Sequence, residues 1–366
     1  MVAEIVIGSL AALLLVATLL SFLRIPHGFV RSFSFPRLQI LVVALVLLGA
    51  ALWWVAPSLT RWLILAALLV AIVIQALCIL PFTPLWKKQS KGRVVDEAEG
   101  RDGPDTVSVL SYNVKMSNRD YASALAIARE ADADLMVFME TDQAWCDALE
   151  PLRQTHPHGL SAPYDNAYGM ILFSRLELSD TSIQCLLMED VPSFGATVRL
   201  RDGQRFRFHA VHPEPPVPTM DSLGRDAELL MLAEIVKTER LPSIVSGDLN
   251  DVAWSNTTRL FQRVSRLLDP RIGRGFYNTF DARFPFLRWP LDHLFHDARF
   301  AIVAIERKPA GGSDHFPMFF RLALTPSPEG ADLPEAEDAS DRAEKREIVA
   351  DGRKLDREAI GVDWES

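Results

Sequence analysis

The chain has 366 residues, of which 49 % are hydrophobic and 23 % charged, with a mean hydropathy of +0.11 and a net charge of −9. That charge is split unevenly: residues 1–93 carry +7, residues 94–325 carry −9 and residues 326–366 carry −7. The split excludes a simple soluble enzyme, a uniformly membrane-embedded transporter, and a soluble part that grips nucleic acid through bulk positive charge. Three cysteines cannot form a disulfide scaffold, and they fit a reducing compartment.

Ile5–Leu23, Leu38–Val55 and Leu63–Leu80 are uncharged apolar runs of 19, 18 and 18 residues. Each approaches the roughly 20 residues that a helix needs to cross a bilayer, which predicts three transmembrane helices over residues 1–86. A cleaved signal peptide does not fit the first run, which lacks a basic start and has too long an apolar stretch. Arg24, Arg31 and Arg37 lie in the first loop and Lys87, Lys88, Lys91 and Arg93 follow the third helix, whereas the second loop holds only Arg61. Positive loops stay inside, so the N-terminus is expected outside and everything beyond Lys87 in the cytoplasm. Trp53, Trp54 and Trp62 fall where an outer aromatic belt would sit. The runs carry no ionisable Asp, Glu, Lys, Arg or His, so the bundle reads as an anchor rather than an ion path, with Gln75 and Cys78 as packing residues.

Residues 87–105 are polar and charged and read as a linker. Beyond it, Thr106–Tyr112 and Leu135–Met139 read as strands around a helix at Tyr121–Ala131. Further strands are expected at Met170–Phe173, Ala196–Leu200, Phe206–Val211, Ser243–Ser246 and Ala301–Ile305, with a helix at Ser222–Thr238. This alternation predicts one α/β domain with a mixed sheet over residues 106–325. Residues 326–366 are acidic and poor in aromatics, and are expected to be a disordered or loosely helical tail.

Polar groups recur where these strands end. Asn113 follows TVSVLSY, Glu140 follows LMVFM, His212 follows FHAV, Asp248 and Asn250 follow SIVSG, Asp292 and His293 precede LFHD, and Asp314 and His315 follow GGS. Singly, each has a structural explanation as a turn residue, helix-terminal charge or cap. Together they supply carboxylates and an amide suited to a hard cation such as Mg²⁺ or Mn²⁺, with no Cys/His cluster suited to zinc. A carboxylate that aligns water beside a carboxylate-held imidazole suits attack on phosphorus.

SYNV (111–114), METD (139–142), VHPEPP (211–216), SGDLN (246–250), PLDH (290–293) and GSDHFP (312–317) resemble, in order and spacing, the endonuclease/exonuclease/phosphatase superfamily across residues 106–322. The resemblance implies a DNase I-like four-layer α/β sandwich that hydrolyses phosphate esters with Mg²⁺, here as an integral protein of a bacterial inner membrane. It also implies Glu140 as principal metal ligand with Asn113 and Asp314 beside it, and Asp248 as the group that orients or deprotonates water. Asn250 and His315 would contact the phosphate, Asp292 would orient His315, and His212 would sit near the phosphate or leaving group. Met139 stands where many members have Gln, which removes one expected hydrogen bond. His293 and His209 are expected to be structural, and His156, His158 and His296 loop residues without a partner. Arg225 reads equally as a phosphate contact or a surface ion pair. Arg271, Arg274, Arg283 and Arg288 could form a basic rim over the site.

The expected partners are a phosphate-ester substrate, lipid-borne or nucleic acid, and the bilayer itself; no protein partner is expected. A lipid or membrane-proximal ester stands ahead of a membrane-tethered nuclease because the domain is acidic. A catalytically dead scaffold fits poorly with the complete polar set. The charge asymmetry predicts that a reporter fused to the C-terminus is active on the cytoplasmic side, and a reporter active only on the opposite side would overturn that orientation.

Overall fold

The computed structural model describes residues 2–94, 103–325 and 330–362. Helices α1 (Val2–Leu20), α3 (Arg37–Trp54) and α4 (Leu59–Ile79) are long and apolar enough to cross a membrane, and the short α2 (Gly28–Ser32) lies in the loop after α1. Ala11, Ala44 and Ala51 let the three long helices approach closely, with Ile7, Leu65 and Leu68 filling between them. Helix α3 begins at Arg37, just before the apolar run, because the guanidinium folds inward. Its Nη1 donates to Gln75 Oε1 at 3.1 Å, and Gln75 Nε2 donates to Thr18 Oγ1 at 3.0 Å, so Gln75 ties the three helices together. Trp53, Trp54 and Trp62 are exposed around the α3–α4 turn, at the end of the bundle away from α2.

The remaining elements are β1 (Thr106–Asn113), α5 (Tyr121–Ala131), β2 (Leu135–Met139), α6 (Gln143–Leu149), β3 (His158–Ala162), β4 (Met170–Ser174), β5 (Leu178–Cys185), β6 (Pro192–Arg199), β7 (Arg205–Ala210), α7 (Leu223–Thr238), β8 (Ser243–Asp248), α8 (Asn256–Ser265), β9 (Asp292–His296), β10 (Phe300–Arg307), β11 (Met318–Leu324) and α9 (Ala339–Gly352). They build two mixed sheets, ordered β10-β11-β1-β2-β4-β3 and β5-β6-β7-β8-β9. Val107, Val137, Phe208, Ile244, Leu294 and Phe320 belong to the core between the sheets. The alternate residues Leu110, Met136 and Phe138 pack outward on α5 and α6, while Val245 and Phe295 pack outward on α7 and α8. Two-residue alternation on both sheets, interrupted by bulges on β5 and β10, thus produces four layers, the DNase I-like sandwich expected from the sequence.

Strands β3, β5, β9 and β11 escaped the sequence reading. Strand β5 is exposed at a sheet edge, and β9 opens on Asp and His, so neither has an apolar signature.

The tail is the clearest correction. Residues 326–329 and 363–366 of the expected tail, and 95–102 of the expected linker, lie outside the described residues, but α9 is a capped helix docked on α7 and α8. Its acidic composition suggested disorder or loose helix, and in α9 the charges find partners. Arg263 donates to both oxygens of Asp341 at 2.7 and 2.9 Å, Lys345 pairs with Glu234 and Glu337, and Ile348 joins the apolar layer beneath. The first part of the linker is also docked. Gln89 Oε1 accepts from Asp269 N at 2.8 Å, and Arg93 N donates to Ile302 O at 2.9 Å.

The apolar helices and the sandwich share a surface. Gly28 N donates to Met220 O at 2.7 Å, Trp254 Nε1 donates to Ser34 O at 2.7 Å, and Ile79 and Phe82 pack with Val252, Trp254 and Leu291. At Gly28 a Cβ would lie 1.8 Å from Val217 O, so any side chain forces this contact apart. Gly28→Ala is therefore expected to destabilise the full chain by about 1–3 kcal/mol in detergent unfolding. Gly49→Ala, where nothing lies within 4 Å of the added methyl, is the control. Equal unfolding midpoints for the two variants would contradict the docked arrangement.

Candidate active site

The inward rows of the two sheets run out of apolar residues at one end. On β1 the row Val107, Val109, Ser111 ends at Asn113; on β2 Leu135, Val137 and Met139 precede Glu140; on β8 Ile244 and Ser246 precede Asp248; on β9 Asp292 precedes Leu294. Asn113 pairs in register with Met139 and Asp248 with Asp292, so period two delivers Asn113, Asp248 and Asp292 to one place. Loop residues complete the set. Lys115, Glu140 and Asn250 adopt positive φ values of 60°, 59° and 52°, the left-handed region that costs a non-glycine residue energy and that clusters at functional sites.

A cavity of about 230 Å³ opens there, bordered by six of the eight residues expected from the sequence: Glu140, His212, Asp248, Asn250, Asp314 and His315. Asn113 and Asp292 are buried and touch the bordering carboxylates and imidazole. Asn113 Nδ2 donates to Glu140 Oε1 at 2.7 Å and to Asp248 Oδ2 at 3.1 Å. His315 Nδ1 donates to Asp292 Oδ2 at 2.8 Å, while its Nε2 lies 3.5 Å from Asp248 Oδ2. His212 Nε2 stands 3.9 Å from the same oxygen. Asn250 N donates to Asp248 Oδ1 at 2.9 Å, and its side-chain Nδ2 donates to Pro213 O at 2.9 Å, which fixes the amide. Met139 does not leave a gap, since its sulfur accepts from Asp248 N at 3.1 Å.

Electrostatics divide these groups by role. Burial pushes Glu140 up to about 7, against the pull of its Asn113 hydrogen bond. Burial alone would lower His315, but the carboxylates of Asp292 and Asp248 overcome it and raise the imidazole to about 10, so it is charged at neutral pH. His212 shows the opposite balance: burial outweighs Asp248 and lowers it to about 4, so it is neutral. The two histidines thus offer different proton inventories within one cavity.

The donor set also suits a hard divalent ion. Asp248 and Asp292 are buried and Glu140 is half-buried, Asp292 Oδ1 has no hydrogen-bond partner, and Asp248, Asp292 and His315 bring ligand atoms within 4.8 Å of one another. Asp314, expected beside Glu140, does raise that group's proton affinity, but its Oδ2 accepts from Lys115 Nζ at 2.9 Å and lies 3.6 Å from Arg283. Asn113 turns its NH₂ toward the carboxylates, so its amide would have to rotate to act as an oxygen ligand.

Several residues fall elsewhere than expected. Arg225 is neither a phosphate contact nor a surface pair: it is buried, grips Asp226 Oδ1 at 2.7 and 3.0 Å, and donates to Asn250 O at 2.8 Å. Arg271 is buried against Asp269 and donates to His293 Nδ1 at 2.6 Å, and Arg274 donates to backbone carbonyls, so of the four rim arginines Arg283 stands beside a cavity residue, 3.6 Å from Asp314 Oδ2, while Arg288 donates to Ala282 O at 2.9 Å. His293 and His209 are buried, as their structural reading required. His156 and His296 are not unpartnered loop residues. Burial lowers both, His156 bonds Ala133 O, and His296, within β9, bonds Ser90 and Asp297.

Lys115, Tyr168, Phe280 and the Ile360–Gly361 backbone also border the cavity, and sequence reasoning missed them. Lys115 could have been found, since it lies two residues after Asn113. Ile360 carries no such signal. It is held because Arg357 forms a double ion pair with Glu214 at 2.6 and 3.0 Å, Ile360 N donates to Glu214 Oε1 at 2.7 Å, and Tyr168 Oη donates to Ile360 O.

A two-sheet sandwich with acid, amide and imidazole groups at one end of its core is the architecture of a DNase I-like phosphoesterase. The chain belongs to the endonuclease/exonuclease/phosphatase family, whose model matches residues 110–315. Among solved structures, a humanized D. rerio TDP2 is 15 % identical with a TM-score of 0.50, covering 60 % of this chain and 100 % of its own. An endonuclease/exonuclease/phosphatase from Beutenbergia cavernae DSM 12333 is 18 % identical with a TM-score of 0.46, covering 60 % of this chain and 72 % of its own. A mannosyl-6-phosphatase from Bacteroides thetaiotaomicron is 18 % identical with a TM-score of 0.48, covering 60 % and 100 %. A search of curated proteins found no match.

The His315–Asp292 contact gives a stability test. Asp292→Asn and His315→Gln should each cost about 3–5 kcal/mol, because the first removes the carboxylate that holds His315 Nδ1–H and the second leaves Asp292 facing Asp248 with no cation between them. The double variant should fall short of the sum by about 0.5–3 kcal/mol. Additive losses in a double-mutant cycle would show that the two groups do not interact.

Proposed function

We propose that the protein is a membrane-anchored, divalent-metal-dependent phosphoesterase that hydrolyses its substrate by in-line attack of water. The observation that carries this reading is the convergence of Asp248, Asn250, His212 and His315 on one cavity, with Glu140 in its wall. Glu140 would hold Mg²⁺ or Mn²⁺ with Asn113 and Asp314 beside it, and a bound ion supplies charge neutralisation at a phosphoryl oxygen.

The chain's own groups do the rest. Asp248 lies between the two histidines and beside Asn250, where its Oδ2 can align a water and take its proton. Asn250 is pinned by Arg225 below and Pro213 beside it, which holds its side chain for one phosphate orientation. His315 keeps one ring proton on Asp292 and directs Nε2–H toward the cavity, a charged donor for the phosphate oxygens as charge builds up on them. His212, being neutral, can accept or pass a proton near the leaving group without adding positive charge. Apolar α1, α3 and α4 support the anchor, and the basic segments flanking the site-proximal ends of these helices support a cytoplasmic catalytic domain.

The full chain in detergent should hydrolyse bis(p-nitrophenyl) phosphate or p-nitrophenyl phosphate with added Mg²⁺, reversibly blocked by a chelator. Asp248→Asn should lower kcat by about 10²–10⁴-fold while folding is retained. Glu140→Gln should raise the Mg²⁺ concentration needed for half-maximal rate. Unchanged turnover in Asp248→Asn would refute the assignment.

A further inference from the structure

The segment Asp281–Arg288 (DARFPFLR) joins the cavity to the apolar helices. Just before it, the Phe280 ring lies 4.9 Å from the His315 ring at a tilt of 42°, and Ala282 N donates to Asp314 O at 2.7 Å. At its tip Phe284, Phe286 and Leu287 are 52 %, 86 % and 48 % exposed among the described residues, an apolar cluster open to solvent. The tip stands against the first turns of α3: Gln39 Nε2 donates to Phe286 O at 2.9 Å, and Leu38, Val42 and Val43 face Pro285 and Phe286 across a hollow of about 320 Å³. Val42 and Val43 are themselves exposed and lie about 8–9 Å along the axis from Arg37 at ~1.5 Å per residue.

That depth is where the boundary between headgroups and acyl chains falls if α3 spans a bilayer from Arg37 onward. The tip sequence has the matching chemistry, apolar residues flanked by Arg283 and Arg288. The guanidiniums of Arg288 and Arg307 lie over the ring of Phe316, the residue after His315, at 4.8 and 4.4 Å, giving a basic strip beside the tip. Aromatic, then cationic, then catalytic groups follow one another outward from the α3 surface.

We infer that the Phe284–Leu287 tip seats in the interfacial layer of the bilayer that holds α3, setting the cavity mouth at headgroup height, so that the phosphoester hydrolysed is carried by a lipid of that same leaflet. The inference rests on the membrane anchor and phosphoesterase reading above, and it names the source of the ester. The observation that separates bilayer from protein partner is continuity: the tip is bonded to a helix whose neighbouring surface is itself apolar and exposed.

The test uses the full chain in vesicles of phosphatidylglycerol and phosphatidylcholine. Tryptophan placed by Phe286→Trp should lose emission about twofold more than the parent when the acyl chains are brominated near the headgroup. In the parent, raising the phosphatidylglycerol fraction should increase KM for bis(p-nitrophenyl) phosphate about fivefold, with kcat unchanged, whereas soluble glycerol phosphate should not. The double variant Phe284→Ser/Phe286→Ser should lose that competition and keep kcat for the soluble diester. Absence of extra quenching overturns the seating. Quenching without lipid competition, or equal competition by glycerol phosphate, overturns the lipid-borne substrate. If the parent hydrolyses neither the soluble diester nor p-nitrophenyl phosphate, the phosphoesterase reading fails, and the quenching alone still decides the seating.

Discussion

Two buried aspartates, Asp248 and Asp292, face each other in register on adjacent antiparallel strands. Like charges directly opposite in a sheet are unfavourable, and burial makes the repulsion worse. His315 resolves it, placed by a loop whose own backbone is tied down: His315 N donates to Ser313 Oγ, and Ser313 Oγ donates to Asn113 O. One imidazolium thereby joins β8 and β9 of one sheet to the β1 end of the other. The end of the sandwich stays closed by a charge arrangement rather than by apolar packing, and that arrangement is also what gives it chemistry.

A second buried chain of charges runs from the apolar bundle into the same site. Arg31, in α2, lies 3.0 Å from Asp226; Asp226 is gripped by Arg225; and Arg225 donates to Asn250 O. Burial would raise the Asp226 carboxyl, but the two arginines hold it below the ordinary carboxylate range. The apolar bundle is therefore part of the support of Asn250. On the far wall, the Glu214–Arg357 pair brings residues beyond α9 to the cavity. The cavity end of the sandwich is thus braced by residues before β1 and after α9.

How much of this was legible in the sequence follows from which signals are local. The strands that carry Asn113, Glu140 and Asp248 are short apolar runs of β-branched and large residues, so both the strands and the polar residues that follow them stood out. The three apolar helices stood out by length alone. Strand β9 was hidden because its first two residues, Asp292 and His293, face the site and a buried arginine instead of an apolar layer. Helix α9 was hidden because its stability comes from partners more than 70 residues away in the chain, Arg263 among them, and composition records no partners. Arg225 and Arg271 illustrate the same limit. A lone arginine in a sequence reads as surface, and only the fold reveals the aspartate that lets it be buried.

The most direct test of this account is the charge state of His315 in the full chain, read from the ring nitrogen shifts of ¹⁵N-histidine-labelled protein and assigned with His315→Gln. The account predicts an imidazolium with both nitrogens protonated at neutral pH, losing its proton only near pH 10, well above the ordinary histidine range. A neutral ring at pH 7 would mean that Asp248 and Asp292 are not bridged by a cationic histidine, and the proposed division of labour in the cavity would fall with it.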